Sequence, residues 1–306
     1  MHQKYIFSNL IGTFVFNEHF NMADRVLFRN IEDYNNREKH EKQLSSKYKN
    51  IKKPEGAELS RILENFKKKE YFDDFYRRNL LLTRKNIKES VTDDLLAIQA
   101  ISNIAELDKL VNALSKRLRE WYEFYNPELS KRVHDNKKFS ELVLKEKKKK
   151  ESIGAEFTKE NIEPILNLSK GISSLYKLED AQLGYLENLM KKICPNMTAI
   201  TGVSIGAKLL GHAGSLKRLA EMPASTIQLL GAEKALFRHI KNKKNLPPKY
   251  GVLHEHPFIS QAKKEAHGKI ARALADKISI AVKVDYFKGK FIGDKLKKEL
   301  EKKLKK

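Results

Sequence analysis

The sequence predicts a mainly α protein. A small N-terminal α/β domain (1–88) is followed by a long antiparallel coiled-coil hairpin (89–194), an all-helical C-terminal domain (195–295) and a basic tail (296–306). Three observations carry this reading. Short β-branched and aromatic runs are confined to the start of the chain. A 3.5-residue apolar period begins at Asp93. Beyond Pro195 the helical patterns are short, broken by Gly and Pro, and show no strand alternation.

The N-terminal runs are YIFSNLIGTFVF and DRVLFRN, split by Asn, Gly and Asp, and they read as a few strands ahead of charged helical segments. From Asp93, the series Ala97, Ala100, Ile104, Leu107, Val111, Leu114, Leu118, Trp121 and Tyr125 advances in steps of three and four, as on a long helix packed along its length. Asn126-Pro127 stops it, because proline disfavours helical geometry in the residue before it. A second series, Leu168, Ile172, Leu175, Leu183, Leu186, Met190 and Ile193, lies across a loose lysine-rich connection that includes KEKKKK at 145–150. Two helices of an ordinary bundle are the competing reading. Cys194-Pro195 ends the second helix. Further on, Met222-Pro223-Ala224-Ser225 supplies a break with Ser225 as the expected cap. A long helix over 261–286 has Ile270, Leu274, Ile278, Ala281 and Val282 as its core stripe, and KKELEKKLKK reads as a charged, frayed end.

With 61 Lys+Arg against 39 Asp+Glu the chain carries +22, which favours a nucleic acid or an anionic surface over a neutral small substrate. Of that excess, 15 lies in the last 112 residues, where 24 basic side chains face 9 acidic ones. A lysine-rich composition of the thermophile kind is the alternative, but there glutamate rises in step and here it does not. One cysteine, Cys194, excludes an intramolecular disulfide and fits a reducing compartment. No stretch is long and apolar enough for a membrane span, so an intracellular, cytoplasmic protein is expected.

Catalytic motifs are not evident. GVSIGAKLLG has the spacing GxxxGxK, which is not that of a phosphate loop, and no strand precedes it. Its small residues suit close approach of two helices or of RNA backbone. His254-Glu255-His256 lacks further ligands at metal-site spacing and reads as a polar loop cluster; Cys194 reads as a buried, inert thiol. What stands out is cationic. Lys234, Arg238 and Lys241 fall at i, i+4 and i+7 on one helix face while Leu229, Leu236, Phe237 and Ile240 fall on another. Lys269, Arg272 and Lys283 likewise share a face of the long C-terminal helix. Two basic faces in one helical domain suit structured RNA read through backbone and shape, with a solvated basic surface as the competing reading.

MPASTIQLLGAEKALF at 222–237, PPKYG at 247–251, HGKIARALADK at 267–277 and AVKVDYF at 281–287 together resemble the Nop domain. SKRLREWYEFYNPEL at 115–129 resembles the coiled coil of the archaeal Nop subunit of box C/D small ribonucleoproteins. The resemblance covers roughly 95–295 and implies a non-catalytic scaffold for guide-directed 2′-O-methylation of RNA. It implies an N-terminal domain that binds fibrillarin, the methyltransferase to which S-adenosylmethionine belongs. It also implies a coiled coil that pairs with a second copy, and a Nop domain that grips a kink-turn guide RNA together with its ribosomal-protein-like binder. No cofactor or metal of its own is expected.

Mapped onto this sequence, the resemblance makes Lys234, Arg238, His239, Lys241, Lys269, Arg272, Lys283 and, in the loop, His256 candidate RNA contacts. Leu236 and Phe237 are expected to pack the core. Gly231 and Glu233 are expected at the partner protein, Glu233 alternatively orienting Lys234. Ile104, Leu107, Val111, Leu114, Leu118 and Trp121 are expected at the self-association seam. The N-terminal part shows little motif likeness, and Lys283 stands where the family pattern has arginine. A splicing-type Nop protein, which binds a kink-turn RNA without fibrillarin, is the runner-up; an RNA-modifying enzyme is the reading from another class.

Overall fold

The computed structural model of the chain describes residues 3–48 and 50–305. The backbone divides into two compact units, residues 1–91 and 92–306.

In the first unit, β1 (Lys4–Ser8), β2 (Gly12–Phe16), β3 (Met22–Leu27) and β4 (Ile51–Lys52) form one sheet in the order β3-β2-β1-β4. β1 pairs antiparallel with β2, Ile6 opposite Val15, and parallel with β4. Helices α1 (Ile31–Asn35) and α2 (Arg37–Ser45) lie between β3 and β4 in the chain, and α3 (Gly56–Glu64) and α4 (Lys69–Glu89) follow. Period-two alternation sends Tyr5, Phe14 and Phe16 to one face against Ile62 and Phe66, and Ile6 and Val15 to the other against Leu44. The apolar runs read as strands are therefore the two-sided centre of an α/β unit. α4 buries no side chain and leaves Phe72, Tyr76 and Ile87 exposed.

The second unit is built on an antiparallel hairpin of α5 (Asp93–Glu123) and α8 (Lys159–Ile193). Its root joins Ala97, Ile101 and Ile104 to Leu186 and Met190, and its far end joins Leu118 and Tyr122 to Ile165 and Ile172. The seam departs from a strict heptad. Past Val111 the buried positions are Ser115, Leu118 and Tyr122, while Leu114 is only half-buried and Trp121 is 41% exposed. A helix of 3.6 residues per turn drifts about 20° per heptad against a 3.5 repeat, and four heptads move the contact line by one position. Ile104, Leu107, Val111 and Leu118, expected to mediate self-association, instead fill the interior of the hairpin.

The connection between the two helices is ordered rather than loose. α6 (Pro127–Arg132) starts at Pro127, capped by the Asn126 side chain, and α7 (Asn136–Lys145) packs Phe139 and Val143 into the far-end core. Ser169 Oγ donates to the Ser140 carbonyl at 2.6 Å. In the lysine run, Lys148 Nζ donates to the carbonyls of Gly154 and Ala155 and pairs with Glu156 at 2.6 Å.

After the Cys194-Pro195 break come α9 (Pro195–Thr201), α10 (Val203–Ala213), α11 (Leu216–Glu221), α12 (Ala224–Leu229) and α13 (Glu233–Lys241). They are followed by α14 (Pro257–Ser260), α15 (His267–Tyr286) and α16 (Gly293–Lys305). The α15 stripe of Ile270, Leu274, Ile278, Ala281 and Val282 is buried as expected, although the helix begins at His267 rather than near Gln261. Ser225 is inside α12 and caps nothing; Pro223 occupies the cap position. Of residues 296–306, expected as a frayed tail, 296–305 fall in α16, whose Leu296 and Leu300 are buried in the main core, and 306 lies outside the described residues. The hairpin root shares that core, so no packing boundary falls at residue 194. Among the described residues no helix is long and apolar enough to cross a membrane.

The displaced seam has a measurable consequence. Tyr122→Ala removes a fully buried ring and should cost about 3–5 kcal/mol, whereas Trp121→Ala should cost less than about 1 kcal/mol. Chemical denaturation followed by circular dichroism distinguishes them, and the reverse ranking would restore the strict heptad.

Candidate nucleic-acid interface

The helix with the cationic face, α13, stands outside the core. Chain segments on either side of it are stapled together: Gly251 N–H donates to the Gln228 carbonyl at 3.0 Å and Val252 N–H to the Leu230 carbonyl at 2.8 Å. The staple is tight. A Cβ on Gly251 would lie 1.8 Å from the Leu230 carbonyl oxygen, and one on Gly231, whose φ is +86°, would lie 2.6 Å from Val252 Cγ2. Residues 231–250 are thus an excursion closed at its base, and α13 buries no side chain. Phe237, expected in the core, is 67% exposed; Leu236 is half-buried and Ile240 is 55% exposed. The helix is amphipathic as the spacing predicts, but Leu229 belongs to α12 and the apolar side faces solvent rather than the core.

On this helix Lys234, Arg238 and Lys241 line an open pocket together with Phe237. Among the described residues none of the three cations is paired with a carboxylate. His239 differs: its Nδ1 lies 2.6 Å from the Asn245 carbonyl, to which it donates, and so it secures the turn after the helix. Glu233 does not orient Lys234. Its carboxylate accepts from Gly231 N–H at 2.7 Å and lies 3.7 Å from His212 Nδ1. Partial burial opposes the charged form of Glu233, but the N–H groups of Gly231 and of Glu233 itself, with His212 nearby, outweigh it and hold the carboxyl below its usual range. Gly231 and Glu233 therefore shape the turn that launches α13.

A second cationic surface is a groove of about 720 Å³ between α15, the turn before Tyr250 and α16. Lys269 and Arg272 line it as the helix spacing suggests, joined by Lys249 and Lys303, with Asp276 as the one acid. Neither Lys249 nor Lys303 stands out as a candidate in the sequence. For Lys303 the i, i+4 spacing of Leu296, Leu300 and Leu304 is the signal that marks its segment as an amphipathic helix rather than a tail; no such signal marks Lys249. Lys283 is exposed on the same face of α15, but at 1.5 Å per residue it lies about 16 Å along the axis from Arg272 and outside the groove. α13 and α15 do not bring their cations into one pocket.

His256 is not a surface contact. It is buried, its Nε2 donates to the Ile200 carbonyl at 3.0 Å and its Nδ1 accepts from Phe258 N–H at 3.2 Å. Burial lowers its pKa, with Lys297 adding to the effect, while the hydrogen bond to Ile200 pulls the other way. Its neighbours are engaged elsewhere: Glu255 pairs with Lys208 at 2.6 Å and His254 stacks on Tyr250. Among the described residues no group of three or more His, Cys, Asp or Glu is placed to hold a metal ion. Cys194 is buried, and desolvation pushes its thiol far above the usual range.

Fold and surface define a class of protein: a helical module carried on a coiled-coil hairpin, with unpaired cations set beside exposed apolar side chains. The chain belongs to the Nop family, whose model, described as "snoRNA binding domain, fibrillarin", matches residues 103–154 and 146–306. A NOP5 family protein of Methanocaldococcus jannaschii is 38% identical over 262 residues, 76% of this chain and 63% of that one. Nucleolar protein 58 of Schizosaccharomyces pombe is 38% identical over 229 residues, 67% of this chain and 45% of that one. Nucleolar protein 56 of Bos taurus is 35% identical over 254 residues, 72% of this chain and 42% of that one. This chain thus spans 63% of the archaeal relative and less than half of the two eukaryotic ones. A chain from the crystal structure of a fibrillarin/Nop5p complex is 26% identical, with 94% of this chain and 96% of that one covered and a TM-score of 0.48.

The buried His256 sets a pH dependence. Its folded pKa lies below the ordinary 6.5, so the unfolded chain binds the extra proton and stability declines as pH falls below about 6.5. Thermal melts between pH 7.5 and 5 should show that decline in the natural protein. His256→Gln should melt lower at neutral pH and lose this part of the slope; an unchanged slope would place His256 in solvent.

Proposed function

We propose that the chain is the scaffold subunit of a box C/D guide-RNA ribonucleoprotein that directs 2′-O-methylation, gripping a kink-turn RNA together with that RNA's primary binding protein. The observation that carries this is α13, a helix that buries nothing and offers Lys234, Arg238 and Lys241 beside Phe237 and Ile240. Cations alone suit a phosphate backbone, and an apolar face alone suits a protein. Both on one short helix suit a composite surface of RNA and protein. Methyl transfer belongs to fibrillarin, which we place on the N-terminal unit, where α4 exposes Phe72, Tyr76 and Ile87. Self-association of the hairpin uses the outer stripe of Leu110, Trp121 and Phe124, because the seam is filled by α8.

In binding assays with the full chain, a kink-turn RNA carrying its primary binder should be held far more tightly than the naked RNA. Lys234→Glu with Arg238→Glu should weaken that binding and flatten its logarithmic salt dependence by about two units, one per phosphate contact. Equal affinity for both RNAs would sink the scaffold reading. Methylation in a reconstituted particle should require both this chain and fibrillarin; transfer by this chain alone would make it an enzyme. Trp121→Asp with Phe124→Asp should convert a dimer to a monomer in light scattering without loss of helicity, and a persistent dimer would place the contact elsewhere.

A further inference from the structure

We propose that the C-terminal end of α15, with the link that leads from it to α16, docks an acidic segment of a partner protein, one in which Asp or Glu side chains flank apolar anchors. The inference stands apart from the RNA-binding reading above, because it uses neither α13 nor the groove beside Lys249.

Three large apolar side chains face water there: Ile280 is 45% exposed, Phe287 76% and Phe291 54%. On α15, Ile280, Lys283 and Phe287 fall at i, i+3 and i+7, so they lie on one face. The backbone that carries the rings is held on both sides. The Asp285 carboxylate accepts from Asn196 and Met197 of α9, and Ile292 N–H, directly after Phe291, donates to Asn196 Oδ1 at 2.6 Å. Between these anchors the helix closes in a Schellman turn. Lys288 N–H donates to the Asp285 carbonyl at 3.1 Å and Gly289 N–H to the Val284 carbonyl at 2.8 Å. Such a turn favours glycine at its left-handed position, yet Lys288 occupies it here at φ +53°. A Cβ on Gly289 would lie 2.9 Å from Val284 Cγ1, so glycine suits the next position as well. A lysine is therefore kept where it strains the fold, beside rings that the fold leaves mostly bare.

Charge and shape together give the partner's chemistry. From 277 to 293 the exposed cations without a carboxylate partner among the described residues are Lys283, Lys288 and Lys290. Lys277 is paired with Glu299, and Asp285, the one acid in this stretch, is buried. The next acid, Asp294, is already in the first turn of α16. An anionic partner fits this balance, and the apolar side chains decide its kind. Protein interfaces put aromatic and aliphatic anchors at the centre and charges around them, with opposite charges steering the encounter. A phosphate backbone would use the ammonium groups and leave Ile280 and both rings in water. Among the described residues the carbonyls of Tyr286 and Phe287 accept no backbone hydrogen bond, and they suit N–H donors, which a peptide backbone supplies and a phosphate backbone does not.

The test uses the full chain and a library of random peptides displayed on phage, selected on the natural protein after removal of phage that bind a Phe287→Ser, Phe291→Ser variant. Both rings are exposed, so this variant should melt with the natural protein. Recovered sequences should carry Asp or Glu around a Phe, Leu, Ile or Trp. As synthetic peptides they should bind the natural chain about tenfold more tightly than the ring variant, the scale of losing an aromatic anchor, and more weakly as salt rises. Lys288→Gly relieves the left-handed backbone, so it should melt no lower than the natural chain while holding the peptides about threefold more weakly. Lys234→Glu with Arg238→Glu should bind them unchanged. The inference is overturned if no peptide survives the selection, if the survivors lack acidic residues, or if Lys288→Gly holds them as tightly as the natural chain. A short oligouridine that displaces the peptides and needs both rings would make the patch an RNA platform and overturn the protein reading.

Discussion

The arrangement of the second unit depends on one buried carboxylate. Asp285, near the end of α15, accepts hydrogen bonds from Asn196 N–H at 3.0 Å, Asn196 Nδ2 at 2.7 Å and Met197 N–H at 2.9 Å. Desolvation raises its pKa and the three donors oppose that. Left without them, a buried carboxylate would cost several kcal/mol or stay protonated. The donors belong to the first turn of α9, directly after the break that ends the 35-residue α8, where free N–H groups favour an anion. Asn196 continues the network, its Oδ1 accepting from Ile292 N–H at 2.6 Å just before α16. One side chain therefore fixes the hairpin root, the end of α15 and the start of α16. From that anchor α15 runs about 20 Å back to Arg272 and α16 about 16 Å out to Lys303, at 1.5 Å per residue, and the two cations meet across the groove.

α13 obeys the opposite logic. Nine residues are too few for a helix that holds itself together in water, and this one has no core beneath it. It is shaped instead from its base, by the Gly231 turn, the Glu233 carboxylate on that turn and the paired backbones of Leu230 and Val252. Such a segment keeps its direction while leaving both faces available. Its apolar side chains gain most when covered by a partner, and covering them also orders the backbone that carries Lys234, Arg238 and Lys241. If α13 meets both partners as proposed, protein and RNA binding to it should reinforce each other through the ordering cost that the first partner meets.

Periodicity made the fold class legible. The strands at the start, the paired long helices, their ends at Pro127 and Pro195 and the α15 stripe all follow from local pattern and proline sterics. What local pattern could not specify was which surface each pattern faces. Sequence pattern alone sends the apolar side of α13 to the core, because helical sidedness does not say what covers the side. The family resemblance places His256 at the RNA and the His-Glu-His run reads as a polar loop, yet its two ring nitrogens find backbone partners that make burial tolerable. Trp121 and Tyr122 exchanged roles because the seam follows 3.6 rather than 3.5 residues per turn. Lys249 and Lys303 were invisible as a pair because only the tertiary path of α16 makes them neighbours.

Net charge alone would not separate a polyanion-binding protein from a lysine-rich surface; the pairing of the charges does. On the hairpin many basic side chains are matched locally, as in Lys109–Glu106, Arg117–Glu120 and Lys191–Glu187, pairs three or four residues apart that neutralise the helix surface and add little stability. In the C-terminal region Lys208 and Lys277 have structural partners, Glu255 and Glu299. The cations that remain unmatched there among the described residues include those of α13 and of the groove, and each of these two sets lies against exposed apolar side chains. A solvated basic face has no use for a phenylalanine beside its lysines, whereas a surface that meets phosphates and bases, or phosphates and a second protein, needs both. That co-location, and not the value of +22, is what the proposed RNA-binding role of this chain rests on.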